Sequence, residues 1–219
     1  MVTNEGISNL TNLIYLNLGK HYLSDYGKHV LRGNRITDQG LINLTNLKSL
    51  DLHDNNDINS QIVIKLTNLT DLKISKNSSI NDKVLLNLPN LKKLNLSTNQ
   101  TISNDTVSKM TALTSLDISL NNKISVDAHT NLTHLILTAN RYITNDQLGK
   151  LTNLTSLSLV LNDTMTDIST LTNLTFLDLS HNASIKDIST LTKLKKLSLV
   201  ANGTLVIENK NIEIIRSYF

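Results

Sequence analysis

Three residues of this 219-residue chain have types and spacing that chemistry could use: Asp51, His53 and Asp71, set among serines at 49, 75 and 97. A carboxylate, an imidazole and a hydroxyl are the parts of a nucleophilic site. They work as one only when nucleophile and base lie within hydrogen-bond reach and water is kept out. Asp51 and His53 are two residues apart, so in a strand they point the same way from one flat surface, with no pocket between them. A serine-rich chain produces such near-triads by chance. The same three groups would need further ligands and a closed shell to hold a metal. The absence of cysteine removes disulfides, thiolate metal sites and cysteine nucleophiles together. The chain is therefore expected to be no enzyme, with no catalytic residues, no metal and no cofactor.

The elements that carry these residues repeat. Apolar residues make up 39 % of the chain but aromatics only 3 %, so leucine must fill the interior that rings normally help to fill. It does so on the pattern L-x-x-L-x-x-L-x-L-x-x-N, found in nine copies. The first runs Leu10, Leu13, Leu16, Leu18; the second Leu44, Leu47, Leu50, Leu52, Asn55. The third and fourth end at Asn77 and Asn99, and the fifth reads Met110, Leu113, Leu116, Ile118, Asn121. The sixth, Leu132, Leu135, Leu137, Asn140, reads as short of one triplet, and the last three end at Asn162, Asn182 and Asn202. From Asn55 on, the asparagines are spaced 22, 22, 22, 19, 22, 20 and 20 residues apart. The L-x-L segment is a short strand with both leucines inward. The asparagine stands at the turn, where its amide can satisfy buried backbone groups of adjacent coils. A following apolar residue (Ile58, Ile80, Ile102, Ile124, Ile143, Met165, Ile185, Leu205) closes each turn.

At these residues the chain resembles the leucine-rich repeat family over essentially its whole length. "RITDQGLINLTNL" at 35–47 is similar to the I-T-D-x-G-L repeats of F-box-associated and related bacterial proteins, with weaker versions at 2–7 and 143–148. "DISTLTNLTFLDLS" at 167–180 and "KDISTL" at 186–191 resemble the shorter repeats of bacterial internalins. The resemblance implies an α/β solenoid: a curved parallel sheet on the concave face, with loops and short helical or 3-10 turns on the convex face. It also implies a scaffold that binds a partner protein on the concave side. No F-box motif accompanies the repeats, so a ubiquitin-ligase role is not carried over. Two alternatives stay open: a substrate-recognition arm of a larger protein, and a bacterial surface adhesin like the internalins.

One proline and seven glycines leave no room for a flexible linker, which predicts a single domain over 1–219. Two segments break the repeat. Residues 19–34, with Tyr22, Tyr26 and several cations, are either a protruding contact loop or a degenerate coil. Residues 206–219 leave the pattern and are expected to cap the C-terminal end.

Stacking the strands in register places three outward columns on the concave face. The first is Tyr15, Ser49, Asp71, Lys93, Ser115, His134, Ser156, Phe176, Lys196. The second is Asn17, Asp51, Lys73, Asn95, Asp117, Ile136, Ser158, Asp178, Ser198. The third is Gly19, His53, Ser75, Ser97, Ser119, Thr138, Val160, Ser180, Val200. The N-terminal half puts Asp51 beside Lys73 and Asp71 beside Lys93, a pairing that reads equally as mutual solvated ion pairs. The C-terminal half groups Ile136, Val160, Phe176 and Val200, with Leu120 and Leu161 just beyond the strands, as an exposed apolar centre. The candidate partner-binding residues are thus Tyr22, Tyr26, Asp51, His53, Lys73, His134, Ile136, Val160, Phe176 and Val200.

A net charge of +3, with cations spread along the chain, lacks the basic stripe of a nucleic-acid binder. No apolar run approaches the ~18 residues that span a bilayer. The expected partner is a protein, not a nucleic acid or a membrane, and a monomer is expected. The first residues show no signal peptide, which together with the lack of cysteine predicts a cytoplasmic protein, with secretion or delivery into a host as the alternative. N-x-S/T sequons recur, among them Asn77, Asn162, Asn182 and Asn202, but the repeat generates them at positions expected to be buried.

Overall fold

A computed structural model describes residues 3–25, 28–32, 36–203, 205 and 211–216, with the backbone alone for 21–25 and 28–32. The chain forms two compact units, Met1–Thr106 and Val107–Phe219. In the first, β1 (Tyr15–Asn17), β4 (Ser49–Asp51), β5 (Asp71–Lys73) and β6 (Lys93–Asn95) lie side by side in a parallel sheet. Between β1 and β4 stands an antiparallel hairpin of β2 (His21–Asp25) and β3 (Lys28–Arg32). In the second, β7 (Ser115–Asp117), β8 (His134–Ile136), β9 (Ser156–Ser158), β10 (Phe176–Asp178), β11 (Lys196–Ser198) and β12 (Glu213–Ile215) form a parallel sheet. The return limbs carry short helices: α1 (Asn4–Ser8), α2 (Asp38–Leu41), α3 (Ser60–Val63), α4 (Asp82–Leu86), α5 (Asn104–Lys109) and α6 (Asn145–Gly149). Each unit has the leucine-rich-repeat α/β architecture that the resemblance implies.

The strands are three residues long because only the middle leucine of each must face inward between two outward neighbours. Leu50, Leu72, Leu135, Leu157, Leu177 and Leu197 are at most 1 % exposed, and each stands beside its counterpart in the next coil. The apolar residues closing each turn, Ile58 to Leu205, are all buried as well. Burial contributes roughly 1.5–3 kcal/mol per side chain, and a single coil cannot stand against backbone entropy without its neighbours.

Polar side chains fill what leucine cannot. The repeat asparagines from Asn55 to Asn202 are at most 5 % exposed. Asn55, Asn77, Asn99, Asn140, Asn162 and Asn182 each send the amide N–H groups back to the preceding coil and accept backbone N–H of their own turn on Oδ1. Asn140 donates to the Ile118 and Asn121 carbonyls at 3.0 and 2.6 Å and accepts from the Tyr142 and Ile143 amides at 2.9 and 3.1 Å. A second ladder runs along the other edge of the coils. In the recurring T-N-L triplet, Asn46, Asn68, Asn131, Asn153 and Asn173, and Asn90 in its P-N-L counterpart, each donate to a threonine carbonyl one coil earlier, at 2.9–3.0 Å. Four of these, Asn68, Asn131, Asn153 and Asn173, stand in N-x-T sequons, to which the bond gives a structural role.

The motif "ITDQGL" is explained by crowding. A Cβ on Gly40 would stand 2.8 Å from both Asn4 Oδ1 and Ile36 Cγ2 and 3.1 Å from Ile7 Cδ1, so α2 approaches α1 closely only because residue 40 is glycine. Gly40→Ala is expected to cost about 1–3 kcal/mol by overpacking. Gly149→Ala, whose Cβ meets nothing nearer than Thr170 Oγ1 at 3.4 Å, is expected to stay within about 0.5 kcal/mol. Urea denaturation of the two variants side by side checks this.

Two expectations change. The sixth repeat is not short of a triplet: His129 occupies the first leucine position, its carbonyl accepting from Leu132 N–H at 3.0 Å just as Met110 accepts from Leu113 at 3.1 Å. Residues 21–25 and 28–32 are neither loop nor coil but paired strands, with Tyr22 opposite Leu31 and Leu23 opposite Val30.

Candidate functional site

The outward columns read from the spacing stand in the register expected. In the first unit Tyr15, Ser49, Asp71 and Lys93 are neighbours, as are Asn17, Asp51, Lys73 and Asn95. In the second the rows are Ser115, His134, Ser156, Phe176, Lys196, Glu213 and Asp117, Ile136, Ser158, Asp178, Ser198, Ile215. The third column continues past the strands: Lys20 N–H bonds the His53 carbonyl, Leu120 N–H the Thr138 carbonyl and Ala139 N–H the Val160 carbonyl, at 2.8–2.9 Å.

The polar cluster of the first unit is engaged with itself. Asp51 is 6 % exposed, accepts from the His53 backbone N–H at 2.9 Å and pairs with Lys73 Nζ at 3.6 Å. His53 Nδ1 lies 2.5 Å from Ser75 Oγ. The same bond, in which the side-chain oxygen at a strand's last residue accepts from the backbone N–H two residues on, recurs at Asn17, Asn95, Asp117 and Asp178, at 2.9–3.0 Å. It ends the strand and sets the turn. The sequence reading missed this role, although the regular placement of Asp or Asn in the second column carried the signal. Among the described residues no three His, Asp or Glu side chains gather as a metal would require.

The apolar set of the second unit divides. Ile136 is 40 % exposed, Val160 and Phe176 are half-buried and His134 is exposed. Val200 is not part of an exposed surface: it is 9 % exposed, with its N–H on Ser180 Oγ at 3.2 Å beside the Ser180–Ser198 hydroxyl pair. Tyr22 lies on β2, where its side chain is not described, and Tyr26 lies outside the described residues. The expected cap at 206–219 lies partly outside them, and its residues 213–215 add the last strand of the second sheet.

Backbone geometry adds a feature that spacing could not give. The residue before each repeat asparagine has a left-handed backbone: Asp54, Lys76, Thr98, Leu120, Ala139, Leu161, His181 and Ala201, with φ of 50–55°. For an L residue this conformation costs roughly 1–2 kcal/mol. Polar or small residues are the expected occupants, since asparagine and aspartate tolerate it best. Leu120 and Leu161 are neither, and both are 52 % exposed. They stand two coils apart, about 10 Å, on either side of Ala139, with Ile136 on the strand between.

On the opposite side, the exposed Asp127 carboxylate gathers Ser125 Oγ at 2.7 Å, Gln147 Nε2 at 2.6 Å and Lys150 Nζ at 3.2 Å. The Ser125 and Gln147 hydrogen bonds lead in holding its pKa down at about 2. These partners come from two coils, so the cluster ties the turn before β8 to α6.

Comparison with known proteins agrees with this architecture. A leucine-rich repeat family model matches residues 43–67 and 170–188. No curated protein matches. Among solved structures, an internalin (inlF) of Listeria monocytogenes is 29 % identical with a TM-score of 0.60, covering 91 % of this chain and 57 % of that one. Internalin C2 of the same organism is 25 % identical with a TM-score of 0.59, covering 91 % and 84 %. A leucine-rich repeat protein of Leptospira interrogans, 24 % identical with a TM-score of 0.59, covers 95 % and 62 % and shares the fold. The repeat, its buried asparagine ladder and these matches support a leucine-rich repeat family. Within that class it is similar to the internalins, and it spans 57 % of the length of the first of them.

Proposed function

We propose that the chain is a non-enzymatic recognition scaffold, and that the outward sheet face of its second unit binds a partner protein through Leu120, Ile136 and Leu161, flanked by Val160 and Phe176. One observation carries this reading. Leu120 and Leu161 combine two unfavourable features, a left-handed backbone and a half-exposed leucine side chain. Neither serves the fold, because the equivalent turns close equally well around Asp54, Lys76 or His181. Apolar groups held in water next to an exposed isoleucine are what the centre of a protein interface requires. His134 and the serines at 156 and 158 supply a polar rim. The polar face of the first unit is the weaker candidate, since Asp51 and His53 are already satisfied within it.

The reading separates stability from binding. Leu120→Asn and Leu161→Asn place a residue that tolerates the left-handed backbone, so stability is expected to hold or rise by up to about 1 kcal/mol. Affinity for the partner is expected to fall at least tenfold, about 1.4 kcal/mol. Thermal melts paired with titration of each variant against the captured partner decide the matter. Variants that bind as tightly as the parent chain would remove the site assignment.

A further inference from the structure

One of the repeat asparagines, Asn202, is followed by glycine, and Asn202–Gly203 is the only Asn-Gly pair in the chain. The other ladder positions are followed by a residue with a side chain, from Asn56 to Ala183. Asn202 is bonded into the ladder like its equivalents: Nδ2 donates to the Leu179 carbonyl at 3.0 Å and to the Asn182 carbonyl. It is also the most accessible of them, 5 % exposed where the others are at most 1 %. Gly203 is exposed, and a Cβ on it would meet nothing within 4 Å. No described residue accepts a hydrogen bond from its N–H. The equivalent N–H groups of Ser78 and Arg141 are tied to the Asn56 and Asn122 side chains at 2.8 and 3.1 Å.

Asparagine counts among the thermolabile residues. The backbone nitrogen that follows it can attack its side-chain amide, and glycine leaves that approach open because it has no Cβ and few backbone restrictions. An unbonded glycine N–H next to a ladder asparagine therefore joins nucleophile and electrophile in one dipeptide.

We propose that Asn202–Gly203 is a self-modification site, which converts to aspartate and isoaspartate when its coil opens. The Gly203 nitrogen, on losing its proton, attacks Asn202 Cγ. The N–Cγ bond forms, the Cγ–Nδ2 bond breaks, and Nδ2 leaves with that proton as ammonia, giving a cyclic imide. Water then opens the imide. Cleavage at Cγ leaves aspartate at 202, and cleavage at the Asn202 backbone carbonyl carbon leaves isoaspartate, with the chain running through Cγ. Nothing is oxidised or reduced, and water is the only reagent. The closed ladder holds the amide on the Leu179 and Asn182 carbonyls, so cyclisation waits on local opening of the coil. The product cannot return to the ladder. A carboxylate at 202 sets oxygen against those same carbonyl oxygens in a site that water barely reaches, which exchanges donated bonds for repulsion. Isoaspartate lengthens the backbone of the turn as well. Each opening that goes to product is permanent, so the coil keeps a covalent record of its own opening. The site is separate from the face proposed for the partner protein and does not depend on it.

The test is to hold the full chain for days in mildly alkaline buffer at physiological temperature and map it by peptide mass spectrometry with isoaspartate detection. Conversion is expected at Asn202 ahead of every other asparagine, and faster in sub-denaturing urea, which opens the coil. The converted fraction, separated by its extra negative charge, is expected to melt several degrees below the fresh chain, and Asn202→Asp is expected to lose stability in the same way. Gly203→Ala, whose Cβ has free space, is expected to keep the parent's circular dichroism and melting temperature and to lose the conversion. Asn202 still intact after that time, Gly203→Ala converting as fast as the parent, or a converted fraction that melts with the fresh chain would each overturn the proposal.

Discussion

Asn162→Ala is expected to cost the second unit about 3–6 kcal/mol, enough to leave it largely unfolded at physiological temperature. The amide of Asn162 donates to the Leu137 and Asn140 carbonyls at 3.3 and 2.7 Å, and its Oδ1 accepts from the Thr164 and Met165 amides at 3.2 and 3.1 Å. The side chain is 0 % exposed, so no water replaces it. Each buried group left without a partner costs about 1–3 kcal/mol, and two or three are stranded at once. Asn153→Ala provides the contrast. Asn153 makes one bond, to the Thr130 carbonyl at 3.0 Å, from an exposed position. Water takes over there, so the expected cost is about 0.5–1 kcal/mol. Guanidinium unfolding of both variants, followed by circular dichroism, should place their midpoints far apart. Equal losses would mean that the buried ladder is not what holds the coils together.

His129→Leu is expected to raise stability by about 1–3 kcal/mol at neutral pH and by more in acid. His129 fills a leucine slot and is fully buried. Its Nε2 lies 3.0 Å from the Val107 carbonyl, while Nδ1 is buried without a hydrogen-bond partner. Leucine removes that orphan and restores the repeat. The Val107 carbonyl keeps a donor, the Met110 N–H at 2.9 Å. Burial lowers the histidine's pKa below its ordinary 6.5, against smaller opposing effects of the Val107 and Val126 carbonyls. The folded chain therefore holds a neutral imidazole where the unfolded chain takes up a proton. Stability from this residue is complete above pH 6.5 and is lost as the pH falls below it, until the folded form also protonates. Urea midpoints between pH 7.5 and 5 should fall in the parent chain and stay flatter in the leucine variant. The Asp127 carboxylate acts later, its lowered pKa of about 2 giving up stability only as the pH drops below 3.8. Its exposure keeps that contribution small.

The register of the sheets was legible because three signals coincide. The L-x-L spacing sets the inward face, Asn sets the turn, and the interval between asparagines aligns one coil with the next. Phe176 beside Ser156 and Asp51 beside Lys73 both follow from counting alone. His129 was not legible, because a pattern search for apolar residues passes over an imidazole in a leucine slot. Val200 looked exposed by column, but the local packing at the Ser180–Ser198 hydroxyl pair buries it, which spacing does not report. The strand pair at 21–25 and 28–32 was hidden because Tyr22 and Leu23, and Val30 and Leu31, are adjacent apolar residues in the sequence, which erases the alternation that marks a strand. The left-handed positions of Leu120 and Leu161 were beyond any composition argument, since leucine gives no hint of a positive φ.

Those two leucines are where the functional account stands, and site-specific photocrosslinking tests it most directly. A photoreactive residue placed at position 136 is compared with one at position 127 on the opposite side of the second unit, in cells of the native source. The account predicts that position 136 captures one protein, that position 127 does not, and that Leu120→Asn with Leu161→Asn abolishes the capture while the fold is retained. Capture from position 127 equal to that from 136, or capture at 136 that survives the double substitution, would contradict it.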